Sequence, residues 1–183
     1  MVRQGARGGG DTKFAGDLAR VAEMDSTNAG EFREAGADGD CVLRGGRQDV
    51  GIMGVENSIV IRVRYPEVDA MGFLHHSRYL QYFEMGRVEL LRSLGHSYAE
   101  LERQGVLFVV ARVECRYKSP ARYDEELTLV TRVVKQTHVR IDHAYELKRG
   151  SALLAEASTT IACVDREGNL RQIPDFLQRG AAE

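Results

Sequence analysis

The stretch Tyr65-Pro-Glu-Val-Asp-Ala-Met-Gly-Phe-Leu-His-His-Ser-Arg-Tyr79 gathers side chains that could do chemistry into what reads as one connecting loop. Asp69 stands three residues before Gly72 and seven before His76. Gly72 can take φ > 0 or let backbone come close to a ligand. Ser77 can cap a helix, which places His76 at the helix mouth, where unpaired N–H groups attract negative charge. A carboxylate near such an amide supplies two requirements of acyl transfer, a nucleophile or general base and a donor for the developing oxyanion. The same spacing also fits Asp69 as a turn-forming residue, with His75 and His76 as surface or capping groups. Spacing alone leaves both readings open.

The flanking elements must hold that loop. Before it, Ile59, Ile61 and Val63 alternate with Val60, Arg62 and Arg64, as in a half-buried strand starting at Ser58. After it, Leu80, Phe83, Arg87, Leu90, Leu91 and Leu94 mark one helical face, and Gly95 ends the helix. Ser97 and Glu100 form a capping box for a second, short helix. Phe108 to Lys118, Leu127 to Lys135, Val139 to Arg149 and Leu153 to Val164 read as strands, with tight connections at Gln136-Thr137 and Gly150-Ser151. The expected order is strand, long helix and a four-strand meander. A five-stranded antiparallel sheet would then curl around its one long helix, an α+β architecture. Pairing of open edges between copies predicts a homodimer, or a homotetramer built from dimers.

Residues 1–57 hold 12 of the 19 glycines and have no sustained periodicity beyond FAGDLARVAEM. They read as a disordered extension with a marginal helix at Phe14 to Met24, and Met53 offers a second start. The domain is expected over 58–177, with 178–183 as a tail. Lys and Arg number 25 against 27 Asp and Glu, a net charge of -2 that argues against a nucleic-acid partner. No apolar run approaches the length of a membrane span, no secretory signal is evident, and Cys41, Cys115 and Cys163 are too scattered for a disulfide framework. A cytoplasmic location is expected.

The run RVRYPEVDAMGFLHHSRYLQYFEMGRVELLRSLG, the later CRYKSPARYDEEL and the ending ACVDREGNLRQIPDF resemble, in order, the 4-hydroxybenzoyl-CoA thioesterase-like family of hotdog thioesterases, which includes the Tol-Pal-associated enzymes. The resemblance covers about residues 58–177. It implies a hotdog fold and acyl-CoA hydrolysis without a cofactor, with Asp69 as the essential aspartate and the His76 N–H as oxyanion donor. Many relatives have Tyr-His where this chain has His75-His76, and Thr where it has Val68.

Gly72, His75, Tyr79, Glu84 and Arg122 are the candidate substrate-binding residues. For Glu84, a structural role such as pairing with Arg87 is favoured over direct chemistry. His75 could shuttle protons, with loop packing preferred. Arg122, near Lys118, could meet a CoA phosphate. His138 and His143 are expected on opposite faces of one strand, with no third metal ligand in view. The alternatives to an acyl-CoA substrate are an acyl group on a carrier protein, or a non-catalytic thioester sensor, though no helix-turn-helix accompanies the domain.

Overall fold

A computed structural model of the chain describes residues 10–23, 52 and 54–178. The elements in order are α1 (Gly10–Glu23), β1 (Glu56–Arg62), α2 (His76–Ser93), α3 (Tyr98–Arg103), β2 (Leu107–Tyr117), β3 (Glu126–Gln136), β4 (Arg140–Arg149), β5 (Ala152–Val164) and α4 (Asp175–Gln178). A short 3-10 turn at Tyr65–Glu67 follows β1.

All five strands form one antiparallel sheet in the order β1-β3-β4-β5-β2. Only β3, β4 and β5 form a meander, which corrects the four-strand expectation. The segment between Tyr117 and Glu126 is too long for a tight turn and carries the chain across the sheet, so β2 pairs with β5 at the far edge. The edges are therefore β1 and β2. Alternation on β1 is as expected: Ile61 and Val63 are buried and Val60 is exposed.

The long helix packs on the inner face of the sheet. Tyr79, Tyr82 and Phe83 meet Ile61, Leu127, Leu129, Tyr145 and Leu147, while Leu90 and Leu91 join a second cluster with Leu101, Val133, Ile141 and Ile173. Of the expected face, Phe83, Arg87, Leu90 and Leu91 are buried and Leu80 is exposed; Tyr79, Tyr82 and Gly86 widen the buried side. Gly86 sets how closely that side approaches the sheet. A Cβ there would lie 2.3 Å from Thr131 Oγ1 and 2.8 Å from Leu129 Cδ2, so the missing side chain lets helix and sheet touch.

The helix expected at Phe14 to Met24 is present as α1, starting four residues earlier at Gly10. Phe14, Leu18 and Val21 recur at helical spacing on α1, Val21 is fully buried, and Arg140 Nη1 donates to its carbonyl at 3.0 Å. Arg140 is itself paired with Asp142 at 2.7 Å, on the sheet face away from α2. Ile52 is also buried, and Gly54 N donates to Val133 O, so the sheet is engaged before β1 formally begins. Residues 1–9, 24–51 and 53, with the expected disorder and second start among them, lie outside the described residues. At the other end Leu177 is buried and its carbonyl accepts from Gln136 Nε2 at 2.9 Å, and 179–183 lie outside the description.

His138 sits in the β3–β4 connection rather than on a strand, so it does not face His143 across β4. His143 lies on the inner face beside Tyr145, and burial, reinforced by the Arg87 charge, pushes its pKa down to about 3. An imidazole in the unfolded chain takes its proton near 6.5. Stability from the neutral buried ring is therefore complete above about pH 6.5 and is lost as pH falls toward 3. His143→Leu should lose up to about 3 kcal/mol less than wild type between pH 7 and pH 4 in urea unfolding. Parallel stability curves for the two proteins would refute this.

Candidate active site

The loop between β1 and α2 is fixed from beneath by Glu67. This carboxylate is 1% exposed, and its oxygens accept from Arg64 N (2.8 Å), Arg64 Nε (2.9 Å) and Tyr82 Oη (2.7 Å). His75 N donates to its backbone carbonyl at 2.9 Å. One residue thus ties the loop's start, its end and the second turn of α2 together. Burial opposes ionisation of Glu67, but the hydrogen bonds from Arg64 and Tyr82 outweigh it and hold the carboxyl below its usual range. The sign follows: this stability is present above the ordinary carboxylate pKa and lost as pH falls through the lowered one. Glu67→Gln should cost about 2 kcal/mol at pH 7, and urea unfolding should show that gap closing toward pH 3. A gap independent of pH would count against the ion.

Above this anchor, Asp69 closes a tight turn. Its N–H donates to Phe73 O at 2.8 Å, and its Oδ1 accepts from Met71 N (2.8 Å) and Phe73 N (3.2 Å). Gly72 supplies the required left-handed conformation, with φ of 75°. Both readings of Asp69 therefore hold at once. One oxygen forms the turn, and the other, Oδ2, has no protein partner among the described residues.

Helix α2 begins at His76, two residues earlier than Ser77 capping would allow, because His75 is the cap: its Nδ1 lies 3.4 Å from Ser77 N and 2.8 Å from Ser77 Oγ. The His76 N–H precedes the first intrahelical bond and meets no acceptor among the described residues. Tyr117, at the end of β2, donates from its hydroxyl to His76 O at 3.2 Å and packs edge-on against Tyr79 at 4.9 Å. Burial and the neighbouring Cys115 push the Tyr117 phenol up to about 12, so it remains a donor at neutral pH.

Asp69, Phe73, His76, Tyr79, Tyr117 and Lys118 line one open cavity of about 350 Å³. Gly72 shapes the turn beside it. His75 stacks on His76 with ring centroids 4.1 Å apart, but its nitrogen is engaged in capping. Arg122 lies at the rim, its guanidinium 4.6 Å above the Phe73 ring and its backbone bridged to Phe73. Glu84 is not part of this cavity. It is exposed two turns further along α2, and the expected pair with Arg87 does not form, because Arg87 turns inward to the Tyr145 hydroxyl at 3.1 Å. Tyr117 and the Glu67–Tyr82 anchor were not anticipated. The available signals were an aromatic ending an alternating strand and a glutamate two residues before the aspartate.

A curved five-stranded antiparallel sheet around one long helix, with a polar loop at the helix mouth, defines the hotdog architecture. Residues 63–180 match the family model of the thioesterase-like superfamily, and the chain belongs to that family. The acyl-CoA thioesterase YbgC of Haemophilus influenzae is 36% identical over 109 residues, 59% of this chain and 80% of that protein. The putative acyl-CoA thioesterase YneP of Bacillus subtilis is 33% identical over 108 residues, 58% of this chain and 78% of its own. Among solved structures, a probable thioesterase from Bartonella henselae superposes with a TM-score of 0.63 at 31% identity, covering 66% of this chain and all of that one.

Proposed function

We propose that the chain hydrolyses the thioester of an acyl-CoA, consuming one water and yielding a carboxylic acid and free CoA. The observation that carries this reading is the pairing of Asp69 and the His76 N–H on one cavity, each with hydrogen-bonding capacity to spare. The thioester oxygen accepts from the His76 N–H, where the helix dipole favours the negative charge that develops on it. Asp69 Oδ2 then either attacks the carbonyl carbon, giving a mixed anhydride that the water hydrolyses back to Asp69 and the acid, or takes a proton from a water that attacks directly; in both the CoA thiolate leaves and is protonated. Either route needs an ionised carboxylate held still, which its Oδ1 contacts provide.

Lys118, which lines the cavity and pairs with Glu156 at 2.8 Å, and Arg122, over the Phe73 ring beside it, are the cations that would meet the phosphates of CoA. The β2 edge carries unpaired strand backbone, and a second copy of the chain is the occupant that would satisfy it. Among the described residues no helix is long and apolar enough to cross a membrane. An acyl-CoA substrate suits the cytoplasm.

The substrate is tested by presenting one acyl group on CoA and on a holo acyl carrier protein. A kcat/KM at least tenfold higher for the CoA ester is expected. The reverse ranking would reassign the protein to carrier-borne substrates.

A further inference from the structure

A second cavity lies beyond the Tyr79–Tyr117 pair, in the seam between α2 and β2. Leu80, Phe83, Val110 and Val113 line its volume of about 180 Å³, which ends on Arg87 and Thr159 and shares no lining residue with the first. Its walls are mostly apolar, and its polar end is unusual. Arg87 is only 9% exposed, its buried neighbours are the Tyr145 and Tyr98 phenols, and the one carboxylate among the described residues that acts on it, Glu84, does so from the exposed rim. Tyr145 passes its own hydroxyl contact to Thr159 at 2.8 Å, and buried His143 close by is neutral. Among the described residues Arg87 forms no ion pair. A buried guanidinium whose only nearby counter-charge is an unpaired, solvent-screened carboxylate is costly, and phenols offset only part of that cost.

We infer that this seam receives the acyl chain and that Arg87, at its far end, selects chains that terminate in a carboxylate. The inference rests on thioester hydrolysis at Asp69. A carboxylate matches the guanidinium fork in a bidentate way and supplies the missing charge where water is scarce. Length points to the chain class. His76 and Arg87 are separated by about 16 Å along the helix axis. The Arg87 side chain leans toward the helix N-terminus, so an extended chain of roughly eight to twelve carbons spans the gap. The substrate class is then the mono-CoA thioester of a medium-length dicarboxylic acid, and hydrolysis releases the free diacid and CoA. Glu84 stands on the exposed rim of the same cavity, where solvent screens its charge.

The test compares decanedioyl-CoA with decanoyl-CoA, which differ only at the far end. Wild type is expected to favour the diacid ester at least tenfold in kcat/KM. Arg87→Met should reverse that order, Arg87→Lys should restore part of it, and circular dichroism should confirm that both variants fold. Should Arg87→Met fail to fold, Leu80→Trp probes the seam from its exposed rim: it should lower decanedioyl-CoA turnover at least tenfold more than it lowers acetyl-CoA turnover, and an equal effect on both would overturn the inference. Equal handling of the two ten-carbon esters by wild type would overturn the inference while leaving thioester hydrolysis intact. So would an unchanged preference in folded Arg87→Met. Inactivity of wild type toward every acyl-CoA would instead overturn the thioesterase reading, and this one with it.

Discussion

Asp69→Asn is expected to lower kcat for thioester hydrolysis by about 10³-fold or more, equivalent to about 4 kcal/mol of transition-state stabilisation, with stability within about 1 kcal/mol of wild type. The two halves of the carboxylate explain the separation. Oδ1 accepts from Met71 N and Phe73 N, and the Asn amide oxygen can keep both bonds and the turn they close. Oδ2 faces the cavity without a protein partner, and there the substitution places an NH₂ group that can neither attack a carbonyl nor accept a proton. KM should change far less than kcat. A folded Asp69→Asn protein that kept a tenth of wild-type kcat would remove Asp69 from the chemistry.

The largest stability effect is expected at Gly86. On an ordinary exposed helix, Gly→Ala stabilises by about 1 kcal/mol. Here the new Cβ would sit 2.3 Å from Thr131 Oγ1 and 2.8 Å from Leu129 Cδ2, both held in the core. Overpacking of this kind typically costs about 1–3 kcal/mol, so Gly86→Ala should destabilise by about 2 kcal/mol net in urea unfolding, and Gly86→Val by more. The clash names its own remedy. Thr131→Ala removes the nearer atom, so the double variant Gly86→Ala with Thr131→Ala should be more stable than the sum of the single effects predicts. Thr131 Oγ1 has no hydrogen-bond partner, so its removal leaves no donor or acceptor stranded. Strict additivity would place the cost of Gly86→Ala elsewhere.

These two sites differ in how far the sequence revealed them. Asp69 was visible because a carboxylate, a glycine and a helix start within a few residues form a local pattern, and Gly72 and His76 fell into place with it. The strands were legible for the same reason, since alternation is local. What escaped depends on distant partners. The jump of β2 to the far edge depends on which strand accepts it, and the close approach of Gly86 to Thr131, forty-five residues away in sequence, leaves no local signature. Glu67 gave no hint of its burial until Tyr82 and Arg64 closed over it. The Arg87 side chain looked like an exposed partner for Glu84 at helical spacing, yet Tyr145 draws it inward. The helix at α1 was legible from its short apolar stripe, but its docking was not, because Arg140, which bonds the Val21 carbonyl, and its partner Asp142 lie more than a hundred residues away in sequence.

The most direct measurement is thiol release by the full chain across acetyl-, decanoyl-, decanedioyl-, palmitoyl- and benzoyl-CoA, with the carboxylic acid quantified in the same reaction. The predicted result is equimolar free CoA and acid from at least one of these esters, at a rate that Asp69→Asn reduces by about 10³-fold. A folded wild-type protein that releases no thiol from any of them, or one whose release is unchanged by Asp69→Asn, would contradict the assignment of Asp69 as the catalytic carboxylate of an acyl-CoA thioesterase.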